Sequence, residues 1–233
     1  MRYALYFSPP AADPLTQAAA EWLGRDAFDG RIYPRSGVSG FVGEELDTLT
    51  ADPRRYGFHA TLRAPFQLAE DMSENDLLVA IAAFAEKTAP LEIPSVIVGQ
   101  LGPFFALIPE LLHPPLQDFA ASVVQTFEPF RAPLSEIDIE RRKPDSLPRR
   151  QRENLMRWGY PYVFDEFRFH MTLTGPIPDA QAPAMAKILK DRFAGFIGRP
   201  LRIDGLALFV EPERGAPFLV HSRLPLTAAQ PNG

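Results

Sequence analysis

Two short segments of the chain are near copies of each other, and each contains a histidine followed two residues later by a threonine. They read FHATL over residues 58–62 and FHMTL over residues 169–173. In an extended strand, residues i and i+2 share a face, so each segment places an imidazole beside a hydroxyl and turns its apolar residues to the opposite face. The pattern predicts two half-buried strands. Two such units favour a chain with two similar lobes that face one central site.

The composition is typical of a compact globular protein. Of 233 residues, 46% are hydrophobic and 23% are charged, which is enough for one substantial core or two small lobes around a cleft. The net charge of −5 argues against a general nucleic-acid coat, so phosphate binding would need local groups. The chain has no cysteine, which excludes disulfides, thiolate metal sites and a cysteine nucleophile. No apolar run has the length of a signal sequence or a membrane span, and we expect a cytoplasmic protein without a membrane partner.

Strand and helix patterns alternate along the chain, which predicts an α+β fold. Strands are expected at 3–7, 56–66, 91–99, 104–108, 166–173, 201–210 and 218–224. Helices are expected to begin at Pro14, after Ser73 and at Pro114, and to cover 149–158 and 179–193. Pro94 indicates an edge or a bulge in its strand. A basic insertion at about 138–160 precedes the second histidine segment.

Two facing imidazoles can open a phosphodiester or a cyclic phosphate without a metal. One neutral imidazole takes a proton from the attacking oxygen and the second, protonated, gives one to the leaving oxygen, and an ordinary pKa of about 6.5 suits both roles. The threonine hydroxyls can donate hydrogen bonds to the non-bridging phosphate oxygens. We therefore predict His59, Thr61, His170 and Thr172 as the catalytic residues. We expect no metal and no other cofactor, since two histidines without nearby carboxylates do not complete a coordination shell.

Three further residues near the motifs are candidates for substrate binding. Strict alternation places Arg63 and Thr174 on the same face as the catalytic residues, where they would add a guanidinium suited to phosphate and another hydroxyl. Tyr56 can stack on a base or a sugar, or it can belong to the core.

The basic insertion allows two interpretations. Its residues Arg142 and Lys143 either belong to a solvated face or cover the cleft and bind a second phosphate or a leaving group. The other two histidines, His113 and His221, have no partner motif, and we expect structural or surface roles for them.

The paired motifs, together with the opening RYALYFSPP segment at residues 2–10, resemble the 2H phosphoesterase superfamily, which includes LigT-like RNA ligases and cyclic phosphodiesterases. The resemblance covers most of the chain. The long insertion and the form Phe-His-x-Thr-Leu-x-x-Pro further resemble a bacterial, DUF1045-like subgroup described as phosphonate metabolism proteins. The chain departs from the wider superfamily at Pro65-Phe66 and Pro176-Ile177, where relatives commonly place an apolar residue and a glycine. This difference bears on loop shape and substrate choice.

The resemblance implies a single domain over residues 1–233 with two lobes, each carrying one His-x-Thr strand. It implies a bilobal α+β fold with pseudo-twofold symmetry, in which two antiparallel sheets surround a central cleft and helices cover the outer faces. It also implies metal-independent hydrolysis or transfer at cyclic or 2′-linked phosphates, with His59, Thr61, His170 and Thr172 at the motif positions.

Three classes of function remain open at this point. The first is a phosphoesterase that opens a cyclic phosphate of a small ribose-containing metabolite, in phosphonate metabolism. The second is an RNA-end enzyme that processes 2′,3′-cyclic ends or 2′-5′ linkages, which would need a longer positive surface. The third is a phosphate-binding module without catalysis. The motifs assign neither the acid and the base nor the oligomeric state.

Overall fold

A computed structural model describes residues 1–34, 37–38 and 40–229 of the chain. Within these ranges the strands are β1 (Arg2–Phe7), β2 (Ala60–Phe66), β3 (Leu91–Leu101), β4 (Phe104–Pro109), β5 (Met171–Thr172), β6 (Arg199–Ile203), β7 (Gly205–Glu211) and β8 (Leu219–Pro225). They form one antiparallel, eight-stranded sheet in the order β6-β3-β4-β5-β2-β1-β7-β8. The expected α+β class is confirmed.

Helices begin as expected at Pro14, after Ser73, at Pro114 and at Arg149, whereas the helix expected at 179–193 covers only Ala182–Arg192. The helices over Gly43–Leu49, Ala51–Tyr56 and Glu136–Arg141 are not among those expected from the sequence. The helices are α1 (Pro14–Leu23), α2 (Gly43–Leu49), α3 (Ala51–Tyr56), α4 (Glu74–Lys87), α5 (Pro114–Thr126), α6 (Glu136–Arg141), α7 (Arg149–Trp158) and α8 (Ala182–Arg192). The Asp13 side chain accepts a hydrogen bond from the Leu15 amide at 2.8 Å and begins α1, and Gly24 ends it with a left-handed φ of 83°. A capping box between Ser73 and Asp76 begins α4.

The sheet has two four-stranded halves. One half is β6-β3-β4-β5 and the other is β2-β1-β7-β8, and a single residue pair, Ala60 with Met171, joins them. The expectation of two antiparallel sheets is thus met only in part, because β2 and β5 approach closely enough to form one continuous sheet. A pseudo-twofold relation between the halves stays a prediction.

The expected strand at 201–210 is wrong, since the chain leaves one half of the sheet and enters the other within it. β6 pairs with β3, and β7 pairs with β1, while Asp204 alone separates β6 from β7. A one-residue link between the first and the seventh strands of this order requires a strongly curled sheet. Local hydrophobicity does not reveal this exchange of partners.

Both histidine strands are shorter than expected. The strand expected at 56–66 starts at Ala60, because α3 extends to Tyr56 and Gly57 turns the chain with a φ of 81°. The strand expected at 166–173 consists of Met171 and Thr172 alone, because a 3₁₀ turn over Phe164–Glu166 precedes it.

Strand β3 has the irregularity that Pro94 indicates. Its register against β6 shifts between Ile93 and Val96, so the prediction of a bulge is confirmed. The alternative of an edge strand is wrong, since β3 lies between β6 and β4.

The main core lies on one face of the sheet, where it packs against the helices. Its largest fully buried members include Trp22, Phe7, Phe127, Phe193, Leu77 and Ile81. Along β1, Leu5 and Phe7 belong to this core, whereas Ala4 and Tyr6 join a small second cluster with Phe209 and Phe218. One face of the sheet therefore carries the main core, and the other carries the small second cluster, whose Tyr6 and Phe209 rings contact His59. None of the helices in the described ranges is long and apolar enough to cross a membrane.

Candidate active site

The pairing of β2 with β5 brings the two histidine motifs together. Ala60 lies opposite Met171, and both side chains belong to the main core, so the residues on either side of them point to the other face. In this antiparallel register His59 faces Thr172 and Thr61 faces His170. Diagonal neighbours in such a pair are about 7–8 Å apart, which places His59 and His170 within reach of one phosphate group.

A cleft of about 480 Å³ lies above the motif strands. Its volume falls in the range of small-molecule sites. Strand and helix residues form the floor, and they include Tyr6, Tyr56, His59, Thr61 and Thr172. The basic insertion forms the wall, with Arg141, Arg142, Leu147, Tyr160, Pro161 and Tyr162. Of the two interpretations of the insertion, the position of Arg141 and Arg142 favours the one in which the insertion covers the cleft.

Hydrogen bonds fix the proton positions on both imidazoles. His59 donates from Nδ1 to the carbonyl oxygen of Gly57 at 2.9 Å, and His170 donates from Nδ1 to the carbonyl oxygen of Arg168 at 2.7 Å. Because a carbonyl only accepts, Nε2 is the nitrogen of each ring that can take up or release a proton. The Nε2 atom of His59 lies 3.1 Å from the Thr61 hydroxyl, which donates to it when the ring is neutral.

Both histidines are held toward the neutral form. Burial lowers the pKa of His59 to about 4, against the opposing effect of the Gly57 carbonyl, and a positive charge on His170 lowers it further. Burial also lowers the pKa of His170, opposed by the Arg168 carbonyl. A bound phosphate would raise the pKa of each ring, while their mutual repulsion favours one proton on the pair.

The structure does not bring Arg63 to the cleft. This side chain is only 4% exposed, and it donates to the Val124 carbonyl at 2.9 Å and to the Glu128 carboxylate at 2.6 Å. The register of β1 against β2 shifts between the pairs Tyr6–Thr61 and Leu5–Arg63, so an extra residue of β2 breaks the alternation that begins at His59.

Thr174 does not reach the cleft either. Its side chain is fully buried, and its hydroxyl accepts a hydrogen bond from the Phe105 amide at 3.0 Å. The regular strand ends at Thr172, so strand alternation does not extend to this residue.

Two of the remaining candidates line the cleft. The Tyr56 ring has its centroid 6.0 Å from that of His59, and Tyr56 also packs against the second cluster, so both of its expected roles have support. Arg142 holds its guanidinium 4.8 Å from the centroid of the Tyr160 ring. Lys143 is exposed, has a left-handed φ of 46° and is not among the residues that line the cleft.

Of the predicted catalytic residues, His170 is not among the residues that line the cleft, and neither are the other two histidines, for which we expect structural or surface roles. His113 precedes α5, and His221 on β8 has its Nε2 atom 3.5 Å from the Glu74 carboxylate. Among the described residues, no group of three or more histidine, cysteine or acidic side chains is placed to hold a metal ion.

Tyr6 and Tyr160 belong to the site but are not among the residues predicted from the sequence. The Tyr6 ring stacks on His59 with a centroid distance of 3.8 Å, and burial raises the pKa of its phenol. Its hydroxyl is buried and has no hydrogen-bond partner in the described part of the chain. The alternation of β1 is a signal that places Tyr6 on the site face. No periodic signal marks Tyr160, which lies in an irregular segment.

Comparisons with known proteins give relatives over nearly the whole chain. Two curated relatives are both called "Ribose 1,5-bisphosphate phosphokinase PhnN". The protein from Janthinobacterium sp. (strain Marseille) is 39% identical over 97% of this chain and 51% of its own length. The protein from Laribacter hongkongensis (strain HLHK9) is 36% identical over 94% of this chain and 50% of its own length. The chain thus spans about half the length of these relatives.

Two solved structures align with most of the chain at low similarity. One is TT0787 of Thermus thermophilus, with a TM-score of 0.46, 14% identity and coverage of 97% of this chain and 98% of its own. The other is described as a phosphoesterase, with a TM-score of 0.43, 12% identity and the same coverage of both chains. The family model described as "Protein of unknown function (DUF1045)" matches residues 61–219, a span that includes three of the four motif residues. On that match, which confirms the resemblance seen in the sequence, the chain belongs to the DUF1045 family.

Proposed function

We propose that this protein is a metal-independent phosphoesterase of the 2H type that opens a cyclic phosphate, or a related phosphodiester, of a small ribose-containing metabolite. The observation that carries the proposal is the diagonal placement of the two His-x-Thr motifs where β2 pairs with β5, with His59, Thr61 and Thr172 lining the cleft beside this pair. Each ring is oriented by a backbone carbonyl, so that Nε2 is its reacting atom.

The pKa values support a division of labour between the two rings. Neutral His59 accepts a proton at Nε2 from a water molecule as the water oxygen forms a bond to phosphorus. His170, protonated when the phosphate is bound, gives the Nε2 proton to the leaving ribose oxygen as its bond to phosphorus breaks. His59 is the base because its pKa of about 4 keeps it neutral beside a charged His170. When the phosphate is bound, the Thr61 hydroxyl turns away from His59 Nε2, and Thr61 and Thr172 donate hydrogen bonds to the non-bridging oxygens, where charge develops.

The kinase name of the relatives applies to proteins about twice as long as this chain. The present sequence contains no Gly-x₄-Gly-Lys-Ser/Thr segment, the loop with which many kinases bind nucleotide phosphates. We therefore attribute the phosphotransfer to the part of the relatives outside this chain. The name still supports a ribose phosphate as substrate, and with the family resemblance it favours a role in phosphonate metabolism, in the cytoplasm.

The two alternatives have less support. RNA-end processing needs a positive surface beyond one pocket, but Arg149 pairs with Glu153 and Arg150 pairs with Asp165, which reduces the charge available to a strand. A phosphate-binding module without catalysis would not need the paired imidazoles.

The test is a screen of cyclic phosphates in the presence of EDTA, followed by ³¹P NMR. The panel contains ribosyl cyclic phosphates, 2′,3′-cyclic mononucleotides and 2′-5′-linked dinucleotides. We expect opening of a ribosyl cyclic phosphate in EDTA. Preference for a nucleotide would favour the RNA-end alternative, and turnover only after addition of a divalent metal would contradict the two-histidine mechanism.

The same screen uses variants as controls. His59→Ala and His170→Ala should each lower the rate by about 10²–10⁴, as expected for the loss of a positioned acid or base. His113→Ala and His221→Ala lie outside the cleft and should retain the activity of the unmodified protein. Near-normal activity of His59→Ala or His170→Ala would exclude the proposed catalytic pair.

A further inference from the structure

Arg142 is a largely buried arginine whose charge no carboxylate balances directly within the described ranges. Two other buried arginines have close acidic partners, Arg2 in Glu211 at 2.5 Å and Arg63 in Glu128 at 2.6 Å, and a third, Arg25, donates to three backbone carbonyls. The carboxylate of Asp138 acts on Arg142 only from a distance, since its oxygens are engaged by Arg214 at 2.9 Å.

The guanidinium of Arg142 also lacks hydrogen bonds. Its Nε atom is buried and has no partner in the part of the chain that the structure describes. The guanidinium carbon lies 4.8 Å from the centroid of the Tyr160 ring, and both residues line the cleft. A buried charge with unsatisfied donors is costly, so the arrangement points to an anion that the ligand supplies.

The anion at Arg142 is separate from the reacting phosphate. The motif strands form the floor, whereas Arg142 belongs to the wall that the insertion builds. Tyr56 lies between the two regions, with its ring 6.0 Å from that of His59 and its phenol close enough to influence Arg142 electrostatically. One small molecule can therefore meet both regions with two different groups.

We propose that Arg142 binds a second, non-reacting phosphate of the substrate, so that the protein acts on small metabolites with two phosphate groups. The guanidinium fork matches phosphate oxygens in a bidentate arrangement, and burial strengthens such a charged contact. This inference rests on the proposed function for the identity of the reacting group, but not for the binding of the second phosphate.

The test compares the binding of ribose 1,5-bisphosphate and ribose 5-phosphate by calorimetry in EDTA. The unmodified protein should bind the bisphosphate about 10- to 100-fold more tightly, the value of charged hydrogen bonds to one added phosphate. In Arg142→Gln this preference should fall to within about threefold, because one phosphate subsite remains. Absence of a preference in the unmodified protein, or a full preference in Arg142→Gln, would overturn the proposal.

Two further variants complete the experiment. Arg149→Gln is the matched control, because Arg149 lies in the same insertion but is 93% exposed and pairs with Glu153, and its preference should be unchanged. Arg142→Lys keeps the positive charge but lacks the planar guanidinium, and its preference for the bisphosphate should be at least threefold smaller than that of the unmodified protein. This variant tests the proposal if Arg142→Gln does not fold. If the cyclic-phosphate screen finds no turnover but the preference for the bisphosphate depends on Arg142, the phosphoesterase proposal alone is rejected. If the screen finds turnover but the preference for the bisphosphate does not depend on Arg142, the second phosphate subsite alone is rejected.

Discussion

His59 is a half-buried imidazole stacked on the buried ring of Tyr6, and this environment links the stability of the protein to pH. The folded protein holds the pKa of His59 at about 4, below the ordinary value of 6.5. The unfolded chain therefore binds more protons between these values. Stability is fully present above pH 6.5 and is lost as the pH falls toward 4. Burial of His170 acts in the same direction.

We expect the free energy of unfolding to decrease by up to about 3 kcal/mol between pH 7 and pH 4 because of His59. Urea denaturation at several pH values measures it. His59→Gln should show a smaller slope over this range, whereas His221→Gln on the surface should match the unmodified protein. Equal pH dependence in His59→Gln and the unmodified protein would show that His59 is not held neutral by the fold. Asp138, with a pKa of about 2, affects stability only at lower pH.

At the residue scale, strand alternation predicts that each motif histidine shares a face with its threonine, and His59, Thr61 and Thr172 do line the cleft. The position of Arg63 could not be predicted, since a bulge in β2 changes its face without a signal in the hydrophobic pattern. Arg142 lines the cleft, as one interpretation of the basic insertion expects, but its contact with Tyr160 depends on an irregular segment whose path only the folded structure reveals.

At the scale of elements, the junction between α3 and β2 orients His59, the proposed base. Gly57 ends α3, has a φ of 81°, and provides the carbonyl that accepts the hydrogen bond from His59. A Cβ atom at this position would lie 2.4 Å from the Cβ atom of Ala27. Both the backbone angle and the close contact therefore require glycine.

Gly57→Ala should destabilise the protein by about 1 kcal/mol or more, and it should lower catalytic activity because the carbonyl that orients His59 would move. Thermal unfolding and the rate on the substrate found in the screen are the measurements. Gly102→Ala is the matched control, since Gly102 also has a positive φ of 58° but open space around it. If Gly57→Ala were no more damaging than Gly102→Ala, the close packing against Ala27 would not matter to the site.

The starts of α1, α4, α5 and α7 were predicted well, because caps and prolines are local signals, whereas the short helices α2, α3 and α6 were not predicted. Strand partners were not, as the region 201–210 shows: its residues are mostly apolar, but Asp204 divides them between two halves of the sheet. The choice of partner depends on the rest of the fold.

At the scale of the whole molecule, the two halves of the sheet are nested in the chain. Strands β3 to β6 occupy one uninterrupted stretch, whereas the other half takes β1 and β2 from before it and β7 and β8 from after it. Each half contributes one histidine, so the site exists only where both halves meet.

This nesting has a kinetic consequence. β1, with Tyr6, pairs with β7 from the far end of the chain, as in the pair Arg2–Glu211. Contacts across so long a loop form late, while the β3–β4 hairpin closes through neighbouring residues. In pulsed hydrogen exchange during refolding, we expect amides of β3 and β4 to gain protection before those of β1, and simultaneous protection would contradict this order. The floor of the cleft is then among the last parts of the protein to form, and a partly folded chain has no site to offer.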